Sequence, residues 1–158
     1  MTTAVVKLGI GNTASVMFAL ERLNAPARLT DDPVEIAEAD RVILPGVGAA
    51  AHAMALIDRK GLRNALRAFD RPLLGICLGQ QLLFERSEEG NAEGLGLLPG
   101  SVTRLPASKR TPSPHMGWAK LSGLARSPLL EGVGEDSYVY FVHSYVCPVD
   151  ESTIATAD

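Results

Sequence analysis

The chain has 158 residues, of which 46% are hydrophobic and 21% are charged, and its formal net charge is −3. This length supports one globular core, so the sequence predicts a single domain over residues 1–158. The small negative charge and the lack of a dense Lys/Arg cluster argue against nucleic acid and anionic membranes as partners. No run approaches the roughly 18 apolar residues of a membrane span, which argues against an integral membrane protein.

The number and context of the cysteines indicate the cellular compartment of the protein. The two cysteines are Cys77 and Cys147, and no short apolar run follows a basic N-terminus. This pattern predicts a soluble cytoplasmic protein without a structural disulfide. The spacing of His, Cys and carboxylates matches no metal-ligand pattern, so neither a metal nor a cofactor is expected.

Apolar runs and helical periodicity alternate through the first half of the chain, and Asp32 with Pro33 is typical of a capped helix start. Strand–helix alternation predicts an α/β fold, with a mostly parallel sheet and helices on both faces. Beyond Ser87 the pattern changes to turns and antiparallel strands, with an aromatic strand at Tyr138 to His143. The predicted strands of the parallel sheet are residues 4–8, 27–29, 41–44 and 73–77.

Three loops follow predicted strands of the parallel sheet. They are Gly9 to Asn12, Pro45 to Gly48, and the turn at Cys77. Because ligands bind beyond the carboxyl ends of parallel strands, these loops are the candidate functional region.

Cys77 lies between an apolar strand and a helical segment, with Gly75 and Gly79 two residues away on either side. This spacing predicts a nucleophile elbow, since neighbouring Cβ atoms would clash in so sharp a turn. The helix N-terminus favours the thiolate, and the next backbone N–H, on Leu78, points toward a developing oxyanion. The alternative is a small hydrophobe packed between strand and helix.

Pro45-Gly46-Val47-Gly48 permits either an ordinary strand-to-helix turn or a second oxyanion donor. Glycine lets the peptide unit rotate, so a backbone N–H there complements that of Leu78.

A rival interpretation concerns Gly9-Ile10-Gly11-Asn12-Thr13-Ala14, which follows a strand and opens a helix. Asp31 lies about 20 residues further on, so the segment partly meets the dinucleotide fingerprint. A dinucleotide-binding module is therefore an alternative function.

Five segments carry a resemblance when they are taken together: Gly9 to Asn12 with Ser15-Val16, Pro45 to Gly48, Gly75 to Gln81, Pro114 to Trp118 and Phe141 to Tyr145. They resemble the class I glutamine amidotransferases, and most closely the glutaminase subunits of imidazole glycerol phosphate synthase in histidine biosynthesis. The elbow alone marks only the wider superfamily, whereas the first, fourth and fifth segments carry the narrower resemblance.

The resemblance implies a three-layer, flavodoxin-like fold and hydrolysis of L-glutamine to glutamate and ammonia through a cysteine thioester. It also implies a heterodimer in which ammonia passes to a cyclase subunit. Cys77 then matches the nucleophile, and the Val47-Gly48 peptide and Leu78 match the oxyanion donors. Positions that match glutamine-binding residues are Gly46, Gln81, His143, Ser144 and Tyr145, and those that match the cyclase-facing surface are Asn12, Trp118 and Tyr140.

Two departures from the family pattern bear on activity. Lys7-Leu8 stands where the family usually has Asp-Tyr, and the sequence reaches Asp158 before the family's His-Pro-Glu segment. That segment supplies the general base and its orienting acid, so the 158-residue form is expected to be C-terminally incomplete and inactive. A non-catalytic docking subunit is a further alternative, as are a related amidotransferase and another cysteine hydrolase of similar fold.

Overall fold

The computed structural model describes residues 1–107 and 112–157, so part of the predicted loop from Ala107 to Pro114 lies outside the described residues. The chain forms two compact units, Met1–Val102 and Thr103–Asp158.

The first unit contains a four-stranded parallel sheet in the order β2-β1-β3-β4. The predicted strands are confirmed, with shifted ends. β1 begins one residue earlier and ends two residues earlier than predicted, and the Lys7 N–H just after it still donates to the Thr30 carbonyl (2.8 Å). Pro45 and Gly46, predicted as loop, are the last residues of β3. The strands are β1 (Thr3–Val6), β2 (Ala27–Thr30), β3 (Arg41–Gly46) and β4 (Leu73–Cys77).

Helices follow the strands, as the alternating pattern predicts. Two begin at side-chain caps, since Asn12 accepts from the Ser15 N–H and Asp32 from the Val34 N–H. The helices are α1 (Thr13–Arg22), α2 (Pro33–Glu38), α3 (Ala50–Arg59), α4 (Leu62–Arg67) and α5 (Leu78–Gln81).

The hydrophobic core of this unit lies between the sheet and α2, α3 and α4. Leu44 at the centre of β3 and Ile57 of α3 are fully buried. Leu8, one of the two residues that replace the family's Asp-Tyr pair, is also buried and joins the core. The position therefore contributes apolar packing here.

A second, smaller sheet completes the first unit. It contains β5 (Phe84–Ser87), β6 (Ala92–Glu93) and the first part of β7 (Leu98–Arg104). β5 pairs antiparallel with β6 but parallel with β7, so the pairing of β7 with β5 departs from the antiparallel strands expected beyond Ser87. The reason is topological: the chain reverses at β6 and again before β7, which restores the direction of β5.

The second unit is built on an antiparallel ribbon of β8 (His115–Ser122) and β9 (Tyr138–His143). The short strand β11 (Thr156–Ala157) pairs with β8, and β10 (Tyr145–Val146) pairs with Thr103 and Arg104. The predicted aromatic strand at 138–143 is confirmed.

Across the described ranges, no helix is long and apolar enough to cross a membrane.

Candidate active site

Cys77 forms a sharp strand-to-helix turn. It is the last residue of β4 and immediately precedes α5, with φ +55° and ψ −120°. A positive φ is uncommon for a residue with a Cβ and costs about 1–3 kcal/mol. The thiol is exposed. The geometry is that of the predicted elbow.

The two glycines beside the elbow are required by close backbone approach. A Cβ on Gly79 would lie 1.7 Å from the Leu44 carbonyl oxygen, and a Cβ on Gly75 would lie 2.5 Å from Cα of Gln80. Both obstacles are backbone atoms, which no rotamer change can move. The start of α5 can therefore press against β3 and β4 only with glycine at these positions.

The end of β3 lies beside the elbow. Gly46 is the parallel register partner of Cys77, and Val47 and Gly48 continue into solvent beyond it. Gly48 has φ +86°, although a Cβ there would meet nothing within 4 Å, so conformation rather than space favours glycine.

The three predicted loops converge at one edge of the parallel sheet. β1, β3 and β4 are adjacent and parallel, so their carboxyl ends lie together. A Cβ built on Gly11 would lie 3.9 Å from the Val47 backbone nitrogen, so the first loop reaches the second.

The residues after Cys77 supply a backbone donor and a polar side chain. Leu78 is the first residue of α5, and the first N–H groups of a helix have no acceptor within that helix. Gln81 lies one helical turn after Cys77 and is half-buried. The first unit thus brings together all of the predicted site residues that lie before position 100.

The remaining predicted residues belong to the β8–β9 ribbon and the segment after it. His143 pairs across the ribbon with His115, with ring centroids 5.4 Å apart, and Phe141 stacks on His115 at 5.5 Å. The His143 Nδ1–H donates to the Tyr145 carbonyl (2.9 Å), because a carbonyl oxygen can only accept. Ser144 accepts the Leu105 N–H through its own carbonyl (2.8 Å).

The opposite face of the ribbon carries Trp118 and Tyr140. These register partners meet edge to face, with centroids 5.4 Å apart, and are 69% and 51% exposed. Met116, Tyr138 and Val142 lie on the same face and are exposed too. Strand alternation therefore separates the residues predicted to face the partner from His143, predicted to bind substrate.

The dinucleotide alternative depends on Asp31. Its carboxylate is paired with Lys60 Nζ at 2.5 Å, and this hydrogen bond holds the pKa of the Asp31 carboxyl below its usual value. The described portion of the chain contains no group of three or more His, Cys, Asp or Glu side chains that could hold a metal ion.

Comparison with known proteins decides between these alternatives. The family model for class-I glutamine amidotransferases matches residues 5–157. The imidazole glycerol phosphate synthase subunit HisH of Xanthomonas euvesicatoria is 49% identical over 155 residues, which cover 98% of this chain and 78% of the relative. The HisH subunit of Idiomarina loihiensis is 49% identical over 158 residues, which cover 100% and 79%.

This chain belongs to the HisH family of class-I glutamine amidotransferases. The resemblance carried by the five sequence segments is confirmed. The alternative interpretation of the chain as a dinucleotide-binding module is therefore replaced by membership of the amidotransferase family.

Solved structures agree on the fold of this HisH-family chain. A crystal structure of a glutamine amidotransferase superimposes with a TM-score of 0.74 at 20% identity, covering 97% of this chain and 78% of the other. A glutamine amidotransferase from Thermotoga maritima superimposes with a TM-score of 0.59 at 16% identity, covering 92% and 61%. At these identities the likeness concerns the fold alone, and the predicted α/β class is confirmed.

Substitution of Gly79 tests the packing of the HisH-family elbow. Gly79→Ala places a methyl group against the Leu44 carbonyl, so we expect a loss of about 3 kcal/mol or more in the free energy of unfolding. Gly134→Ala is the matched control, because a Cβ there meets nothing within 4 Å. Urea denaturation followed by circular dichroism measures both. Equal stabilities would contradict the proposed close approach.

The two thiols should differ in reactivity. Burial raises the pKa of the Cys147 thiol from 9.0 to about 11, whereas Cys77 is exposed. Such a shift lowers the Cys147 thiolate population at pH 8 about 100-fold, so iodoacetamide should modify Cys77 first. As the pH rises toward 11, the Cys147 rate should increase. Peptide mass spectrometry over time, with Cys77→Ser and Cys147→Ser as references, measures both rates; faster labelling of Cys147 at pH 8 would contradict this order.

Proposed function

We propose that this chain carries the nucleophile, Cys77, of the glutaminase subunit of imidazole glycerol phosphate synthase, the subunit that hydrolyses L-glutamine and delivers ammonia to a cyclase subunit. The observation that carries the proposal is the strained, exposed Cys77 at the carboxyl edge of the sheet, with the Gly46–Gly48 segment beside it. Family membership adds the substrate and the partner.

The first proposed step is acylation of the thiol. The Cys77 thiolate attacks the side-chain amide carbon of glutamine, and the carbonyl π electrons move to the oxygen. When the C–N bond breaks, the leaving nitrogen takes up the proton that the Cys77 thiol lost on forming the thiolate and departs as ammonia, which leaves a glutamyl thioester. Water then attacks the thioester, releases glutamate and returns the thiol.

Oxyanion stabilisation is assigned to two backbone donors. The Leu78 N–H stands at the start of α5, directly after the nucleophile. The Val47-Gly48 peptide lies past the register partner of Cys77, and its positive φ at Gly48 permits the N–H to turn toward the same point. A single lost donor of this kind costs about 100- to 1,000-fold in rate.

Glutamine-binding roles are assigned to the positions that match those of the family. Gly46 and Gln81 flank Cys77 in the first unit, and Gln81 lies one turn further along α5. In the second unit, we assign the same role to His143, Ser144 and Tyr145. The bond from His143 Nδ1 to the Tyr145 carbonyl fixes the orientation of the imidazole, which supports a positioning role for this segment.

The cyclase-facing surface is assigned to Asn12, Trp118 and Tyr140. Trp118 and Tyr140 form an edge-to-face aromatic pair that is mostly in solvent. Exposed aromatic clusters of this kind are typical anchors of protein interfaces. Asn12 is exposed at the start of α1, where its side chain accepts the Ser15 N–H. A cytoplasmic setting is part of the same proposal, in keeping with two free cysteines.

Labelling with a glutamine-analogue diazo-ketone tests the proposed function directly. We expect one covalent adduct at Cys77, slowed by excess L-glutamine and absent in Cys77→Ala. Intact-mass and peptide mass spectrometry, with and without the cyclase subunit, measure the adduct. A chain that is folded by circular dichroism but not labelled in either condition would contradict the proposal, as would labelling that glutamine does not slow.

Partner binding is tested at the aromatic pair. Trp118→Ala should weaken cyclase binding at least about 10-fold, because truncation removes a large anchor from the interface. Leu23→Ala is the matched control, since Leu23 is 74% exposed but lies just after α1. Isothermal titration with the cyclase subunit measures the dissociation constants. Equal effects of the two substitutions would place the interface elsewhere.

A further inference from the structure

The start of α3 is held by a carboxylate from a distant part of the chain. Helix α3 begins after Ala49, which cannot cap it through a side chain. Instead, Glu89 Oε2 accepts the Ala50 N–H at 2.8 Å, although the two residues are 39 positions apart. A carboxylate at the N-terminus of this ten-residue helix accepts a backbone N–H that has no acceptor within the helix, and its negative charge interacts favourably with the positive end of the helix dipole.

Glu89 is itself held in place. Its backbone N–H donates to Oγ of Ser87 (3.2 Å), a serine that is only 5% exposed. The next residue, Gly90, has φ +69°, and a Cβ there would lie 2.8 Å from Cβ of Ala51. The turn that carries Glu89 therefore packs closely against the first turn of α3, with no room for a larger residue at position 90.

This contact fixes one end of the oxyanion segment. At the other end, Gly46 is the last residue of β3 and pairs with Cys77. Only Val47, Gly48 and Ala49 lie between the strand and the fully buried Ala50. Because the segment is so short, the direction of a peptide N–H within it depends on how firmly the two ends of the segment are fixed.

We propose that Glu89 is a positioning residue, which holds Ala50 so that the Val47-Gly48 peptide presents its N–H to the oxyanion formed at Cys77. This inference rests on the proposed function. In this role Glu89 acts through its bond to the first residue of α3. The Glu89 carboxylate accepts one backbone N–H, from Ala50. The amide oxygen of the side chain in Glu89→Gln can accept the same N–H.

Cys77 labelling separates positioning from a merely structural role. When the thiolate adds to the carbonyl carbon of a diazo-ketone analogue of glutamine, an oxyanion develops; protonation of the diazo carbon, transfer of the sulfur to that carbon and loss of N2 then give the stable adduct and restore the carbonyl. Iodoacetamide reacts by displacement of iodide at carbon and develops no oxyanion. In the presence of the cyclase subunit, Glu89→Ala should lower the maximal labelling rate by the diazo-ketone about 10- to 100-fold. The concentration for half-maximal rate and the iodoacetamide rate should remain within about twofold, because neither depends on an aimed donor.

Conservative variants sharpen the test. Glu89→Gln keeps an acceptor at the same reach and should retain the diazo-ketone rate within about threefold. Glu89→Asp keeps the charge but is one methylene shorter, so its rate should fall toward that of alanine. This pair decides the question even where Glu89→Ala fails to fold. Glu85→Ala is the matched control, because Glu85 also accepts a backbone N–H, from Gly100 at 3.0 Å, but has no bond to α3.

Each outcome has one meaning. If Glu89→Ala leaves the maximal diazo-ketone rate unchanged, the positioning role is wrong and the proposed glutaminase stands. If Glu89→Gln is as slow as Glu89→Ala and needs more analogue for half-maximal rate, Glu89 binds substrate through its charge, and the positioning role is overturned. If the unsubstituted chain shows no glutamine-protected labelling, the proposed function fails and this inference fails with it.

Discussion

The contact between the start of α5 and the end of β3 determines the chemistry available to this chain. Gly79 meets the Leu44 carbonyl so closely that any side chain would have to overlap it. The resulting turn holds Cys77 at φ +55°, at a cost of about 1–3 kcal/mol. Burial of Leu78 in α5 and of Leu82 directly after it offsets this strain, since a buried leucine contributes about 1.5–3 kcal/mol. The core thus stabilises the conformation that exposes the thiol.

The β8–β9 ribbon applies a different constraint, the two-residue period of a strand. Trp118 and Tyr140 face one side, and His115 and His143 face the other. One short ribbon therefore carries both a surface assigned to the partner and a residue assigned to substrate. A shift of one residue in its register would exchange the two faces, so the pairing of Trp118 with Tyr140 maintains both assignments at once.

Local features of this fold were predictable because they depend on neighbours in sequence. The elbow followed from Gly75 and Gly79, and the cap of α2 from Asp32. The parallel pairing of β5 with β7 was missed, because it depends on how the chain reverses at β6. Glu89 was missed for a similar reason. Ala49 indicates that α3 lacks its own cap, but the residue that replaces it lies 39 positions from Ala50.

Glu89 also shows how the first unit joins its two sheets at the candidate site. Gly46 ends a strand of the parallel sheet, whereas Glu89 follows β5 of the smaller sheet. The segment from Val47 to Ala49 therefore lies between a strand of the parallel sheet and a helix start that is held from the smaller sheet. Because Gly48 already has a positive φ, rotation there costs little. A glycine between two fixed ends permits reorientation of one peptide while the nucleophile stays in place.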